Sequence, residues 1–175
     1  MKRKFNHIPV RILMLTFVIL SLTNVIAQQK SKKQLKEEAK LEKQKQTKLL
    51  VDSKEFVFVA RTAMPQRGRT IQLTTNYTLE FHPDVIKCDL PFFGRAFSGV
   101  GYGGGGGMQF EGKPLDLNIE KKKKSYDIAF KVKGDNDSYS LMLSVYFDGS
   151  AYLSISSNNR STISYNGDIE ALPKK

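Results

Sequence analysis

From Glu55 to Tyr165, apolar residues recur at every second position, and this period constrains the fold more than any other feature. Ile86, Cys88 and Leu90 alternate with Lys87 and Asp89. Tyr126, Ile128, Phe130 and Val132 alternate with Asp127, Ala129 and Lys131. Leu141, Leu143 and Val145 do the same, as do Ala151, Leu153 and Ile155, then Ile163 and Tyr165. Successive strand side chains point to opposite faces, so each run has one apolar and one polar side. An antiparallel sheet with a solvated outer face requires that arrangement. Ile71 and Leu73, then Tyr77, Leu79 and Phe81, then Leu115, Leu117 and Ile119 continue the series. Phe56-Val57-Phe58-Val59-Ala60 is apolar throughout and fits a central strand. The expected fold is all-β: an antiparallel meander curled into a barrel-like or sandwich sheet, preceded by a signal peptide and a short basic helix.

Parity predicts one turn in detail. A two-residue turn at Asp148-Gly149 would set Val145 against Tyr152 and put the two apolar sets on opposite faces. A three-residue loop, Phe147-Asp148-Gly149, pairs Val145 with Ala151, Leu143 with Leu153 and Leu141 with Ile155. It also puts glycine where such a loop needs a left-handed residue. The four lysines at 121–124 and Gly134-Asp135-Asn136-Asp137 read as further turns, and His82-Pro83-Asp84 as another.

Residues 1–27 have the order of an export signal. Lys2, Arg3 and Lys4 precede the apolar run Ile12 to Leu22, and Val25-Ile26-Ala27 precedes Gln28-Gln29. The run is short for a bilayer crossing, which takes roughly 20 apolar residues. It predicts a periplasmic or otherwise exported protein, with an uncleaved anchor as the alternative. No cysteine follows the run to carry a lipid, so the sequence does not read as a lipoprotein. Residues 28–53 are rich in Lys, Glu, Gln and Leu, without Gly or Pro, and predict a solvated helical arm. Residues 54–170 then form a single β domain and 171–175 a tail.

The formal net charge is +11, but most of it lies outside the β domain. Four cations sit in the leader, and eight lysines face Glu37, Glu38 and Glu42 between residues 30 and 51. A nucleic-acid reader concentrates charge on its folded domain, so nucleic acid is not the expected partner. Membrane contact is expected only through an uncleaved signal or the basic helix.

The single cysteine, Cys88, excludes an internal disulfide and a cysteine metal cluster; its strand phase predicts burial. One histidine, His82, follows the leader, which excludes histidine clusters, and its turn setting argues against a catalytic base. Asp135, Asn136 and Asp137 lack the spacing of a calcium loop. Gly99-Val100-Gly101-Tyr102-Gly103-Gly104 spells a dinucleotide fingerprint without the helix that motif needs. Residues 107–113 begin like a phosphate loop, but Pro114 stands where a hydroxyl belongs. No catalytic residue, cofactor or metal site is expected.

Leu90-Pro91-Phe92-Phe93-Gly94-Arg95-Ala96-Phe97, running into Gly103-Gly104-Gly105-Gly106-Gly107, departs from what a plain sheet requires. Phe92, Phe93, Arg95, Phe97 and Tyr102 are the candidate ligand-binding residues. Aromatics with one planar cation can line a site for a small organic, carbohydrate or peptide ligand under a glycine-rich cover. In the other arrangement the phenylalanines plug the sheet while Arg95 stacks on a ring or pairs with an acid. Asn158-Asn159-Arg160-Ser161 reads as the turn into the last strand.

These motifs carry a resemblance. The octapeptide at 90–97, with Phe56-Val57-Phe58-Val59-Ala60, Ala63-Met64-Pro65, Leu73-Thr74-Thr75-Asn76-Tyr77-Thr78-Leu79 and Ser157-Asn158-Asn159-Arg160, resembles domain-of-unknown-function family 4251. That resemblance implies an exported protein of Bacteroidota and names no reaction. Phe92 and Phe97 stand where the family often has tyrosine, which argues against chemistry by those hydroxyls. The leading expectation is a non-catalytic envelope domain binding a small ligand or an envelope protein through residues 90–110. The alternatives are an assembly module using the basic helix and a sheet edge, and a hydrolase without a recognisable motif.

Overall fold

The computed structural model describes residues 32–97, 107–135 and 137–173. The chain divides into two units, Met1–Ala39 and Lys40–Lys175. In the first, the described residues 32–39 are helical and exposed. The expected export signal lies outside the described residues.

Helix α1 spans Lys32–Ser53. Straight-chain residues without Gly or Pro favour it, and a Lys48–Asp52 ion pair one turn apart supports its exposed side. It stops at Lys54, which takes a left-handed φ of 56° and donates its N–H to Val51 O. Its last turns are more than a solvated arm. Thr47 and Val51 are buried and Leu50 packs on the sheet core. Lys43 Nζ donates to the Asp148 carbonyl, 3.3 Å away. The apolar stripe is too thin to reveal this from sequence, because few side chains make the contact.

Nine strands follow: β1 Phe56–Pro65, β2 Ile71–Phe81, β3 Ile86–Leu90, β4 Met108–Gly112, β5 Pro114–Lys121, β6 Ser125–Lys133, β7 Ser138–Tyr146, β8 Ser150–Ser157 and β9 Ile163–Glu170. They form one antiparallel sheet ordered β4-β3-β2-β1-β9-β8-β7-β6-β5. The sheet is nearly closed and barrel-like, as expected, with β4 and β5 as its two edges. Pairing of β1 with β9 joins the two halves of the meander. The two edge strands, β4 and β5, are consecutive in the chain with Lys113 between them. There β4 passes close to β6: a side chain at Gly112 would meet Val132 Cγ1 and Lys133 O at 2.8 and 2.9 Å.

The expected three-residue loop is present. Val145 pairs with Ala151, Leu143 with Leu153 and Leu141 with Ile155, and Gly149 has φ 89°. Inward side chains fill the barrel. Phe56 stacks on Phe81, which meets Phe130 edge-on at 5.3 Å. Phe110 of β4 stacks on Tyr139 of β7 at 4.0 Å, tying an edge strand to the interior. Cys88 is buried, as its phase predicts.

Two bulges alter the expected phases. At Asp116 (φ 54°) two residues of β5 oppose one of β6, since Leu115 pairs with Lys131 and Asn118 with Ala129. The extra residue turns Leu115 outward, where it is 46% exposed, while Leu117 and Ile119 pack on the core. Leu115 therefore does not share their face. In β1, Ala60 and Thr62 pair with the adjacent Gly167 and Asn166, so Arg61 bulges outward. Its guanidinium reaches Asp168 and Glu170, each at 3.3 Å.

Candidate ligand site

The chain leaves the barrel after β3 and crosses the end of the sheet. Leu90 is fully buried. Next to it, the Pro91 carbonyl accepts a 2.7 Å hydrogen bond from Tyr165 Oη of β9. Phe92 is half-buried against the core, and the Arg160 guanidinium lies 5.2 Å from the centre of its ring. Arg160 Nη1 also donates to the Gly107 carbonyl at 2.7 Å, so one planar cation contacts both Phe92 and Gly107.

Beyond Phe92 the segment lies along the loop between β8 and β9. Arg95 N–H donates to Ser161 Oγ at 3.0 Å, and Ser161 N–H donates back to the Arg95 carbonyl at 2.9 Å. Phe97 N–H donates to Asn159 O at 2.7 Å, and Ala96 bridges Arg160. Gly94 is required by close approach. A Cβ there would fall 2.4 Å from Ser161 Oγ and 2.5 Å from the Phe92 ring.

Docking of this backbone turns three side chains outward. Phe93, Arg95 and Phe97 line a cavity of about 400 Å³ with Gly94, Ser161 and two residues of the β1–β2 loop, Gln66 and Arg67. Phe93 is 43% and Phe97 69% exposed. Of the five sequence candidates, the structure brings Phe93, Arg95 and Phe97 together. Phe92 lies apart from that cavity, under Arg160, and Tyr102 lies outside the described residues. The ring-stacking considered for Arg95 is made by Arg160.

Arg67 and Ser161 were not visible as site residues. They come from loops about ninety residues apart, and no periodicity marks either one. The only local hint is the arginine pair of Gln66-Arg67-Gly68-Arg69.

Other candidate chemistry resolves into structure. His82 Nε2 sits 3.4 Å from Glu80 Oε2, and His82 N–H donates to Val85 O across the β2–β3 turn. Asp137 Oδ1 accepts the N–H groups of Ser138 and Asn158, joining two turns. The phosphate-loop letters fall on strand β4, and the residues of the dinucleotide fingerprint lie outside the described ones. No group of metal-ligating side chains occurs among the described residues. Nor is any helix among them long and apolar enough to cross a membrane. Burial pushes the Cys88 thiol and the Tyr165 hydroxyl well up from their ordinary values.

The sequence profile of DUF4251, a domain of unknown function, matches residues 38–169. The chain belongs to the DUF4251 family. The match includes α1 from Glu38 onward and the strands through Ile169 of β9, consistent with Thr47 and Val51 being buried. A crystal structure of a DUF4251 family protein from Bacteroides eggerthii DSM 20697 is similar in fold, with a TM-score of 0.59 at 20% identity. The similarity covers 74% of this chain and 88% of that one. No curated protein matches the chain.

Proposed function

We propose that this DUF4251 chain is an exported, non-catalytic binding domain whose cavity at Phe93, Arg95 and Phe97 holds a small ligand or a partner. The observation that carries the reading is the contrast within one segment. Leu90 and Phe92 pack on the core, while Phe93 and Phe97 are displayed on a cavity wall. A phenylalanine left in water forgoes roughly 1.5–3 kcal/mol that burial would provide. Two of them beside a cavity suit an apolar occupant. The lining offers cations, an amide and a hydroxyl, and among the described residues no carboxylate, imidazole or thiol for proton transfer. That inventory favours recognition over catalysis.

Export rests on the leader: three cations, an apolar run and Val25-Ile26-Ala27 before Gln28. N-terminal sequencing of protein recovered from the periplasm should begin at Gln28. Recovery from the cytoplasm with Met1 intact contradicts export. Binding is tested by hydrogen–deuterium exchange of the protein alone and with envelope extract fractions. Protection should appear at residues 93–97 and at Ser161 with at least one fraction. Unchanged exchange there with every fraction contradicts the site.

Assembly through α1 is the second reading, favoured by Leu41 and Leu49, which are 65% and 59% exposed. Sedimentation of the L41S/L49S variant checks it. The reading requires concentration-dependent self-association that these two substitutions abolish.

A further inference from the structure

Several cations of this surface have an acid beside them. Arg61 is matched by Asp168 and Glu170, Lys87 by Glu111, Lys131 by Asp116 and Lys122 by Glu120. Arg67 and Arg95 make no ion pair among the described residues, although both line the same cavity, and no acid lines it with them. Ser161 lines the same cavity, and its Oγ accepts the Arg95 backbone N–H and so keeps its own proton to donate. Two guanidiniums and a hydroxyl therefore line one cavity, with Gln66, Gly94 and the rings of Phe93 and Phe97 making up the rest of its wall.

We propose that the cavity selects an organic oxyanion: a carboxylate or phosphate head held by Arg67, Arg95 and Ser161, on an apolar body lying against Phe93 and Phe97. The inference rests on the binding reading above and adds the charge and shape of the ligand. A guanidinium presents a planar fork that matches either head group, and such charge-assisted contacts are about twice as strong as neutral ones. A cavity of about 400 Å³ lies at the small end of the range for small-molecule sites, roughly 300–1,000 Å³. The unpaired arginines also attract the head before contact, so binding weakens as salt rises.

The test uses full-length protein labelled for NMR, with 3-phenylpropionate, phenyl phosphate and the neutral 3-phenylpropanamide as probes. Either anion should shift the amides of Arg95, Phe97 and Ser161 saturably and bind at least tenfold more tightly than the amide. R67Q and R95Q should each weaken the anions about tenfold, which corresponds to about 1.4 kcal/mol, and leave the amide unaffected. Both side chains are exposed, so the melting temperature should not move. Equal binding of anion and amide overturns the charge selection and leaves the binding site standing. Anion affinity unchanged in the R67Q/R95Q double variant overturns it too. If no probe shifts those amides, the oxyanion proposal and the site fail together.

Discussion

Tyr165 Oη donates a 2.7 Å hydrogen bond to the carbonyl oxygen of Pro91, and this bond fixes where the candidate site begins. Tyr165 is fully buried in β9, and Pro91 is the first residue past β3. A side chain from the barrel interior thus pins the segment that carries Phe93, Arg95 and Phe97. Removing the hydroxyl leaves a half-buried carbonyl without its partner. Tyr165→Phe should cost about 1–3 kcal/mol, read by chemical denaturation. Exchange at residues 92–97 should also quicken while the β6–β8 amides stay protected.

Arg160 holds the same segment from outside. It combines a cation–π contact with Phe92 and a hydrogen bond to Gly107 O. Arg160→Met keeps the aliphatic packing and loses both, so a destabilisation of about 1–3 kcal/mol is expected. Arg160→Lys should recover little of it, because a point ammonium cannot face a ring and a carbonyl in one plane. Denaturation midpoints of the two variants make the comparison.

Gly94 lies between the Phe92 ring and Ser161 Oγ with no room for a methyl group. Gly94→Ala must displace one of them, at a cost of about 1–3 kcal/mol by analogy with overpacking. The displacement should register as changed amide shifts at Arg95 and Ser161, which bond to each other.

Much of the fold was legible because parity is strict. The register of Val145 with Ala151 follows from which faces are apolar, and nothing else in the chain had to be known. Leu115 shows where that argument fails. One bulged aspartate in the left-handed region, which Asp tolerates better than most residues, shifts the phase without changing the pattern of letters. The docking of Thr47 and Val51 escaped for a different reason, since two or three buried positions do not make a visible helical stripe. At the site, the octapeptide announced itself by composition, but its partners did not. Ser161 sits in a turn-like polar cluster, and Arg67 in an ordinary hairpin loop. Only the crossing of residues 91–97 over the end of the sheet brings them to one cavity.

Cys88 and Tyr165 give the protein a pH dependence with a definite sign. Burial raises both groups above their ordinary values, so their folded forms are neutral where the unfolded forms ionise. The stability they contribute is fully present below the unfolded thiol value of about 8.5 and is lost as pH rises, with tyrosine adding its share above about 10. Denaturation at pH 7, 9 and 10.5 should show stability constant at first and then falling. Cys88→Ala, which removes the first of the two groups, should delay the fall.

The central claim is that Phe93 and Phe97 are displayed for an occupant and do not hold the fold. The most direct measurement is the melting temperature of the Phe93→Ser/Phe97→Ser double variant beside that of Phe58→Ala. Exposed positions away from packing usually change stability by about 0.5 kcal/mol or less, whereas a buried phenylalanine cut to alanine costs about 3–5. The account predicts a double variant that melts within about 2–4 °C of the parent chain, since about 1 kcal/mol moves a domain of this size by that much. A drop matching that of Phe58→Ala would mean that the two rings are core, and would contradict it.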